Sequence, residues 1–180
     1  MGGDKWEKTM TNVVALCKAV DMISNLNVQV TFRCTTDNKP YIVMAYDSRV
    51  DKFSKVKQMF PGLGPNGTTP EGLCFEAIMK EFVPITNDLD SYFLNLSDGQ
   101  PYFGNSDVHY SGDRAEKHTK KMVDMMRNKG IKVLSYFISD YDYESDRSSF
   151  KNMYGADSEF INVTNVVDVA RTMNKRFLTK

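Results

Sequence analysis

The sequence predicts an α/β fold, with a mostly parallel central sheet, helices on both faces and one antiparallel hairpin at an edge. Stretches whose apolar residues recur every three or four positions alternate with short stretches rich in β-branched and aromatic residues. Strands separated by helices pair in parallel and are covered on both faces, because each crossover helix packs back onto the sheet. Near the N-terminus, two strand-like stretches are joined instead by a short turn cluster, which favours antiparallel pairing.

Composition places the chain among ordinary globular proteins. Its 180 residues correspond to one domain at roughly 100–200 residues each, and 41% are hydrophobic and 26% charged. Basic and acidic residues number 23 each, so the net charge of zero provides no electrostatic attraction to nucleic acid or to an acidic membrane. The cysteines are widely spaced among apolar neighbours, as reduced core thiols are: Cys17, Cys34 and Cys74. We therefore expect a cytoplasmic protein with neither a nucleic-acid nor a membrane partner.

The chain begins with a helix and continues with the hairpin. Apolar residues at spacings of three and four predict a helix over residues 5–25. Alternation with a period of two then predicts a strand at 28–33, and an apolar stretch at 41–46 predicts the second strand beyond the turn cluster 35–40. The apolar stripe of the first helix consists of Trp6, Met10, Val13, Val14, Cys17 and Val20.

Helices and strands alternate through the rest of the chain. A helix is predicted to start at Pro70, which suits the first helical position, with Thr69 as its N-cap. A later helix has Asp113 as its predicted N-cap and ends at Gly130, where glycine accepts the left-handed conformation. Buried faces are predicted for Ala115, Thr119, Met122, Val123 and Met126 in that helix, and for Val166, Ala170, Met173 and Phe177 in a final one. The other predicted elements are helix 51–60, loop 61–67, helix 70–83, strand 89–96, loop 99–112, strand 131–138, helix 148–154 and strand 159–163.

One strand is absent from this order. Each predicted helix except the first is preceded by a strand or by a loop that follows a strand. The first helix starts shortly after Met1, with only Gly2-Gly3 before it. Ligands of parallel α/β sheets bind beyond the carboxyl ends of the strands. We therefore expect one site built from segments 61–69, 97–112 and 140–147 together with the N-terminus.

Known catalytic motifs are absent from the sequence. His109 and His118 have no second ligand at metal spacing, and there is no HExxH, GxSxG or GxxxxGK[ST] motif. Gly62-x-Gly64-x-x-Gly67 has the glycine spacing of the dinucleotide-binding fingerprint. That fingerprint follows a strand, whereas a helical pattern precedes these glycines, so a nucleotide site is not expected here. The alternating acids from Asp140 to Asp146 lack the glycine and the final glutamate of an EF-hand, which favours a solvated acidic loop over a calcium site. We expect no enzymatic activity.

Two loop motifs offer oxygen ligands at the same predicted sheet edge. Thr69 lies within Asn66-Gly67-Thr68-Thr69-Pro70, and Asp98 lies within Leu96-Ser97-Asp98-Gly99, directly after a predicted strand. Each motif alone is common, as a helix cap or a turn. Together they supply a hydroxyl and a carboxylate oxygen, which hard divalent cations prefer.

These motifs resemble those of the von Willebrand factor A (VWA) domain family, and the resemblance covers nearly the whole chain. The family's metal-ion-dependent adhesion site (MIDAS) uses D-x-S-x-S after the first strand, a threonine within G-T-P or G-G-T, and an aspartate within T/S-D-G. Residues 67–70 resemble the second loop, with Thr69 as ligand, and residues 96–99 resemble the third, with Asp98 as ligand. Residues 1–6 resemble the segment that follows the first motif, which is itself absent. The resemblance implies a single Rossmann-like VWA domain over residues 1–180, N-terminally truncated and lacking the first central strand.

The same resemblance implies a metal-dependent protein-interaction module. Thr69 and Asp98 would hold Mg²⁺, or Mn²⁺ or Ca²⁺, with an open position for an acidic side chain of a partner protein; without D-x-S-x-S, binding by this chain alone is expected to be weak or absent. Residues 68–77 are most similar to intracellular VWA proteins of the chelatase type, which work with MoxR-like AAA+ ATPases. The alternative is a structural or assembly subunit that keeps the VWA fold with a degenerate, non-functional metal site. The partner-binding rim is expected to consist of Tyr102, Phe103, His109, Tyr110, Asp140 and Asp142.

Overall fold

A computed structural model describes residues 1–80, 90–139, 141, 143–155 and 158–162 of the chain. Helices and strands alternate after an N-terminal helix and hairpin, which confirms the predicted α/β class. The predicted final helix, with Val166, Ala170, Met173 and Phe177, lies outside the described residues. The helices are α1 (Asp4–Asp21), α2 (Phe53–Met59), α3 (Glu71–Ile78), α4 (Gly112–Asn128) and α5 (Glu144–Tyr154). The strands are β1 (Gln29–Thr36), β2 (Lys39–Asp47), β3 (Tyr92–Ser97), β4 (Phe103–Gly104), β5 (His109–Tyr110), β6 (Lys132–Ser139) and β7 (Ser158–Asn162).

The described residues group into two compact units. The first comprises Met1–Phe32 and Ile42–Pro65, and the second comprises the described residues of Arg33–Tyr41 and Asn66–Asn162. In the first unit, the predicted apolar stripe of α1 contributes to a core with the base of the hairpin and α2. The buried members of this core are Met10, Cys17, Val30, Ala45, Tyr46, Val56 and Phe60, with Trp6, Val13 and Val14 packed against them.

The hairpin strands are longer than predicted. β1 and β2 pair across a turn formed by Asp37 and Asn38, which both have positive φ, at 47° and 58°. Such a two-residue turn matches the right-handed twist of antiparallel strands, and Asn and Asp tolerate it best among non-glycine residues. Most of the predicted turn cluster therefore belongs to the strands. Pro40 is accommodated because β2 pairs with β1 alone among the described strands.

The second unit contains a parallel sheet with the order β3-β6-β7. Ser97 at the end of β3 lies opposite Phe137 of β6, so the loops that leave both strands emerge at one edge of the sheet. The central strand β6 is buried from Val133 to Ile138, as expected for a strand covered on both faces. Within the described residues, β3 is an edge strand and pairs only with β6.

Helix α4 confirms its predicted buried face and its end. The five residues expected inside are buried, and Gly130 has a φ of 80° and donates its N–H to the carbonyl oxygen of Arg127. The predicted N-cap is wrong: Ser111 occupies that position, and Asp113 lies in the first turn. Of the helices in the described part of the chain, none has both the length and the apolar character needed to cross a membrane.

The start of α3 also differs from the prediction. Pro70 is the N-cap, with φ −82° and ψ 51°, and the first helical residue is Glu71. No side chain caps this end, so Thr69 is not the N-cap and its hydroxyl makes no capping hydrogen bond. The proline ring fixes φ of Pro70 and leaves the threonine one residue outside the helix.

Candidate functional site

The loops that carry Thr69 and Asp98 lie against each other in the second unit. Thr69 directly precedes the cap of α3, and Asp98 directly follows β3. The Oγ1 atom of Thr69 lies 3.8 Å from the position that a Cβ atom would take on Gly99, the residue after Asp98. The N–H of Tyr102 donates to the carbonyl oxygen of Thr69 at 2.8 Å. The structure thus brings the two sequence-predicted ligand loops together.

The Thr69 loop is hydrogen-bonded to the hairpin near its turn. Thr35 Oγ1 accepts the N–H of Thr68 at 2.7 Å, and the hydroxyls of Thr35 and Thr68 are 3.2 Å apart. This contact requires Gly67, which has a φ of 69° and would place a Cβ 2.3 Å from the carbonyl oxygen of Thr35. Only glycine can occupy that position without moving the backbone.

The Asp98 turn is held by the residue before it. Ser97 is buried, and its hydroxyl donates to the carbonyl oxygen of Gly99 at 3.3 Å. The hydrogen bond closes a short turn around Asp98, directly after the last residue of β3. Asp98 therefore leaves the sheet at the carboxyl end of a strand, where ligands of parallel sheets bind.

A buried ionic network lies next to both loops. Glu71, in the first turn of α3, has no exposed surface, and its Oε1 accepts a hydrogen bond from Arg33 Nη2 at 2.7 Å. The same nitrogen of Arg33 lies 3.4 Å from the carbonyl oxygen of Leu96, near the end of β3. The guanidinium also lies over the ring of Phe75, 5.5 Å from its centroid. A buried carboxylate is costly unless it is paired and hydrogen-bonded, and both conditions hold for Glu71.

Tyr154 completes the network from the last turn of α5. Its hydroxyl donates to Oε2 of Glu71 at 2.6 Å. Burial and the negative charge of Glu71 raise the pKa of Tyr154 well above its usual value, so the phenol remains a donor. The sequence does not mark this network, because an arginine on an alternating strand and a glutamate in a first helical turn are both typical of solvent-facing positions.

The donor set fits a hard divalent cation with few protein ligands. Thr69 and Asp98 supply one hydroxyl and one carboxylate, and Mg²⁺ accepts one or two carboxylates together with several waters. Nowhere in the described ranges do three or more His, Cys, Asp or Glu side chains form a group that could hold a metal ion. A cation at this site would therefore complete its coordination with water or with oxygens from a partner.

Of the four predicted rim residues that the structure describes, two are exposed and two are buried. Tyr102 is 45% exposed and meets the exposed His109 edge to face, with ring centroids 6.4 Å apart. Phe103 and Tyr110 are buried, because β4 and β5 pair these two residues and pack them against Ala115 and Leu73. The hydroxyl of Tyr110 lies 3.1 Å from Nδ1 of His118 and donates to the carbonyl oxygen of Ala115 at 3.2 Å.

The predicted acidic loop is described only in part. Asp140 and Asp142 lie outside the described residues. Their neighbours Tyr141 and Tyr143 are 67% and 60% exposed and stack on each other, with ring centroids 6.0 Å apart. The later acids, Glu144 and Asp146, belong to the first turn of α5, where negative charge favours the helix.

Comparison with known proteins shows the fold. The sequence matches no protein-family model and no curated protein. Its fold is similar to the manganese-loaded Plasmodium vivax TRAP protein, with a TM-score of 0.58 and 11% identity over 89% of this chain and 63% of that one. It is also similar to proximal thread matrix protein 1 of the mussel byssus, with a TM-score of 0.57 and 12% identity over 92% of this chain and 39% of that one.

A third solved structure, the SpRpn10 VWA domain, has a TM-score of 0.55 and 10% identity over 91% of this chain and 81% of that domain. The chain thus spans less than two thirds of the first two structures and most of the third. The chain has the Rossmann-like α/β fold of VWA domains.

Proposed function

We propose that this chain is a protein-interaction module in which Thr69 and Asp98 hold a divalent cation that binds an acidic side chain of a partner protein. The observation that carries the proposal is the approach of the Thr69 hydroxyl to the turn around Asp98. Hydroxyl and carboxylate oxygens on two adjoining loops at the carboxyl edge of a parallel sheet suit Mg²⁺ or Mn²⁺. The bound cation would supply a positive centre with exchangeable positions for a carboxylate.

Two further features support this proposal. A structure with the same fold, the Plasmodium vivax TRAP protein, is loaded with manganese. Tyr102 and His109 are exposed side by side on the segment that follows Asp98, and aromatic side chains supply rigid contact area at interfaces. A MoxR-like AAA+ ATPase as the partner rests on the sequence resemblance alone. The module binds its partner and turns over no substrate.

The proposal is tested with Mn²⁺ as the metal probe. Since Thr69 and Asp98 alone supply few protein oxygens, we expect a dissociation constant on the order of 10⁻⁴–10⁻³ M, as in weak extracellular cation sites. Paramagnetic broadening by Mn²⁺ should appear first at the backbone amides of Thr69 and Gly99. Thr69→Ala and Asp98→Ala should each abolish this local broadening. Asp107→Ala is the matched control, because Asp107 is an exposed carboxylate on the loop that follows.

Partner binding provides the second part of the test. Peptides selected on the protein with Mn²⁺ should carry a required Asp or Glu, elute with EDTA and fail to bind Thr69→Ala and Asp98→Ala. Peptides that keep their affinity in EDTA and with both variants would contradict the metal-dependent module. That result would favour the second candidate, a structural or assembly subunit that keeps the VWA fold with a non-functional metal site. What supports this candidate is that, within the described residues, no three His, Cys, Asp or Glu side chains form a group that could hold a metal ion.

A further inference from the structure

Arg33 connects the two loops of the proposed metal site through one nitrogen atom. Nη2 donates to Oε1 of Glu71 at 2.7 Å and to the carbonyl oxygen of Leu96 at 3.4 Å. Glu71 follows Thr69 by two residues, and Leu96 precedes Asp98 by two residues. The guanidinium therefore lies between the segments that lead to both proposed ligands.

The carboxylate that Arg33 contacts is held rigidly. Glu71 is fully buried, and each of its oxygens has a partner, Arg33 on Oε1 and the hydroxyl of Tyr154 on Oε2. The N–H of Glu71 donates to the carbonyl oxygen of Thr69 at 2.9 Å, which ties the residue to the ligand loop. A shift of Glu71 would break hydrogen bonds to a buried charge, and such bonds are among the most costly to lose.

The contact geometry requires arginine. A guanidinium presents several donors in a fixed plane, whereas a lysine ammonium is a point charge on a flexible stem. The ring of Phe75, 5.5 Å from the guanidinium carbon, supports this plane. Lysine at position 33 could keep the charge next to Glu71, but it could not reproduce the fixed direction towards the carbonyl oxygen of Leu96.

We propose that Arg33 is the positioning residue that sets the separation between Thr69 and Asp98, with Glu71 as its anchor. Residues behind the ligands of a metal site orient those ligands, and their loss typically weakens metal affinity about 10–100-fold. This inference rests on the proposed function, because it assigns a role within the same site.

The first test is Arg33→Lys. Its Mn²⁺ dissociation constant should rise about tenfold or more. In the metal-free protein, the amides of Glu71 and Tyr102 should exchange with solvent faster, because both donate to the carbonyl oxygen of Thr69. Arg49→Lys is the matched control: Arg49 also pairs with a carboxylate, Asp47, but in the first unit. It should leave the Mn²⁺ affinity and both amides unchanged.

The double variant Arg33→Met/Glu71→Gln separates positioning from stability. It removes both charges together, and neutral replacement of a buried ion pair is often tolerated. We expect the melting temperature of the double variant to be higher than that of Arg33→Met alone and close to that of the wild type. Its Mn²⁺ affinity should stay low, and the amides of Glu71 and Tyr102 should still exchange with solvent faster than in the wild type. Recovery of the Mn²⁺ affinity together with stability would overturn the proposal, since Arg33 would then serve stability alone.

The exchange measurement also distinguishes this proposal from the metal site itself. If the wild-type protein shows no local broadening by Mn²⁺, the proposed function fails. Faster exchange at both Glu71 and Tyr102 in the double variant would even then support the positioning role of Arg33. Unchanged exchange at these amides in Arg33→Lys and in the double variant would overturn it.

Discussion

Gly72 allows α3 and α4 to approach each other around a buried hydroxyl. A Cβ atom at this position would lie 2.3 Å from the hydroxyl oxygen of Tyr110 and 2.9 Å from Oγ1 of Thr119. The Tyr110 hydroxyl needs that space, because it donates to the carbonyl oxygen of Ala115 inside a buried cluster. At this residue, the absence of a side chain is what positions Tyr110 inside the molecule.

The variant Gly72→Ala should therefore destabilise the protein. In a helix, alanine is normally favoured over glycine by about 1 kcal/mol, but the forced shift of Tyr110 should lower the free energy of unfolding by about 1–3 kcal/mol. Urea denaturation followed by circular dichroism measures the change. Gly64→Ala is the control, because a Cβ there meets no atom within 4 Å. A Gly72→Ala midpoint equal to or above that of the wild type would show that the helices can move apart without cost.

At the scale of the element, the turn between β1 and β2 sets the length of the hairpin. Asp37 and Asn38 both have positive φ, which shortens the turn to these two residues and extends both strands. The carbonyl oxygen of Asn38 also accepts a hydrogen bond from Nδ2 of Asn105 at 3.1 Å. The backbone conformation of two residues thus determines where the loop after β4 attaches to the turn.

The stability of variants at Asn38 should depend on how well the new residue adopts the left-handed conformation found there. Asn38→Gly should leave the melting temperature unchanged or raise it, since glycine adopts positive φ without a steric penalty. Asn38→Val should lower the free energy of unfolding by about 1–2 kcal/mol, because a β-branched side chain clashes there. Thr36→Val is the matched control at an exposed strand position and should be close to neutral. Equal melting temperatures for the glycine and valine variants would contradict the turn conformation.

At the scale of the whole molecule, each compact unit encloses one buried thiol. Cys17 lies in the core of the first unit, and Cys74 lies on α3 of the second. Burial raises the pKa of each thiol to about 11. At neutral pH both thiols are therefore protonated and shielded, which confirms the predicted core position for these two cysteines, whereas Cys34 is only partly buried.

Thiol reactivity should report this burial. In the Cys34→Ser variant at pH 8, Ellman's reagent should react slowly with the native protein and rapidly with two thiols in urea, because only thiolates react and both pKa values lie near 11. The pKa of these thiols is higher in the folded chain than in the unfolded chain, where it is about 8.5. Their contribution to the free energy of unfolding is therefore fully present below about pH 8.5 and is lost as the pH rises towards 11. Rapid labelling of the native variant would contradict the burial.

Much of the fold could be predicted because periodicity is a local property. The stripes on α1 and α4, the glycine that ends α4 and the alternation of strands and helices all follow from neighbours a few residues apart. Thr69 and Asp98 could be chosen because strand ends in a parallel sheet meet at one edge. The buried pair Phe103 and Tyr110 could not be foreseen, because the short strands β4 and β5 turn an apparently exposed loop inward.

The sequence by itself determined the order and type of the longer helices and strands and the two loops that carry the candidate ligands. Only the tertiary structure decided how those loops are held, since Arg33 and Glu71 are 38 residues apart and Glu71 and Tyr154 are 83 apart. No local pattern marks such pairs. A buried charge is tolerated only where the folded chain brings its partners together, so the network that supports the site exists in three dimensions alone.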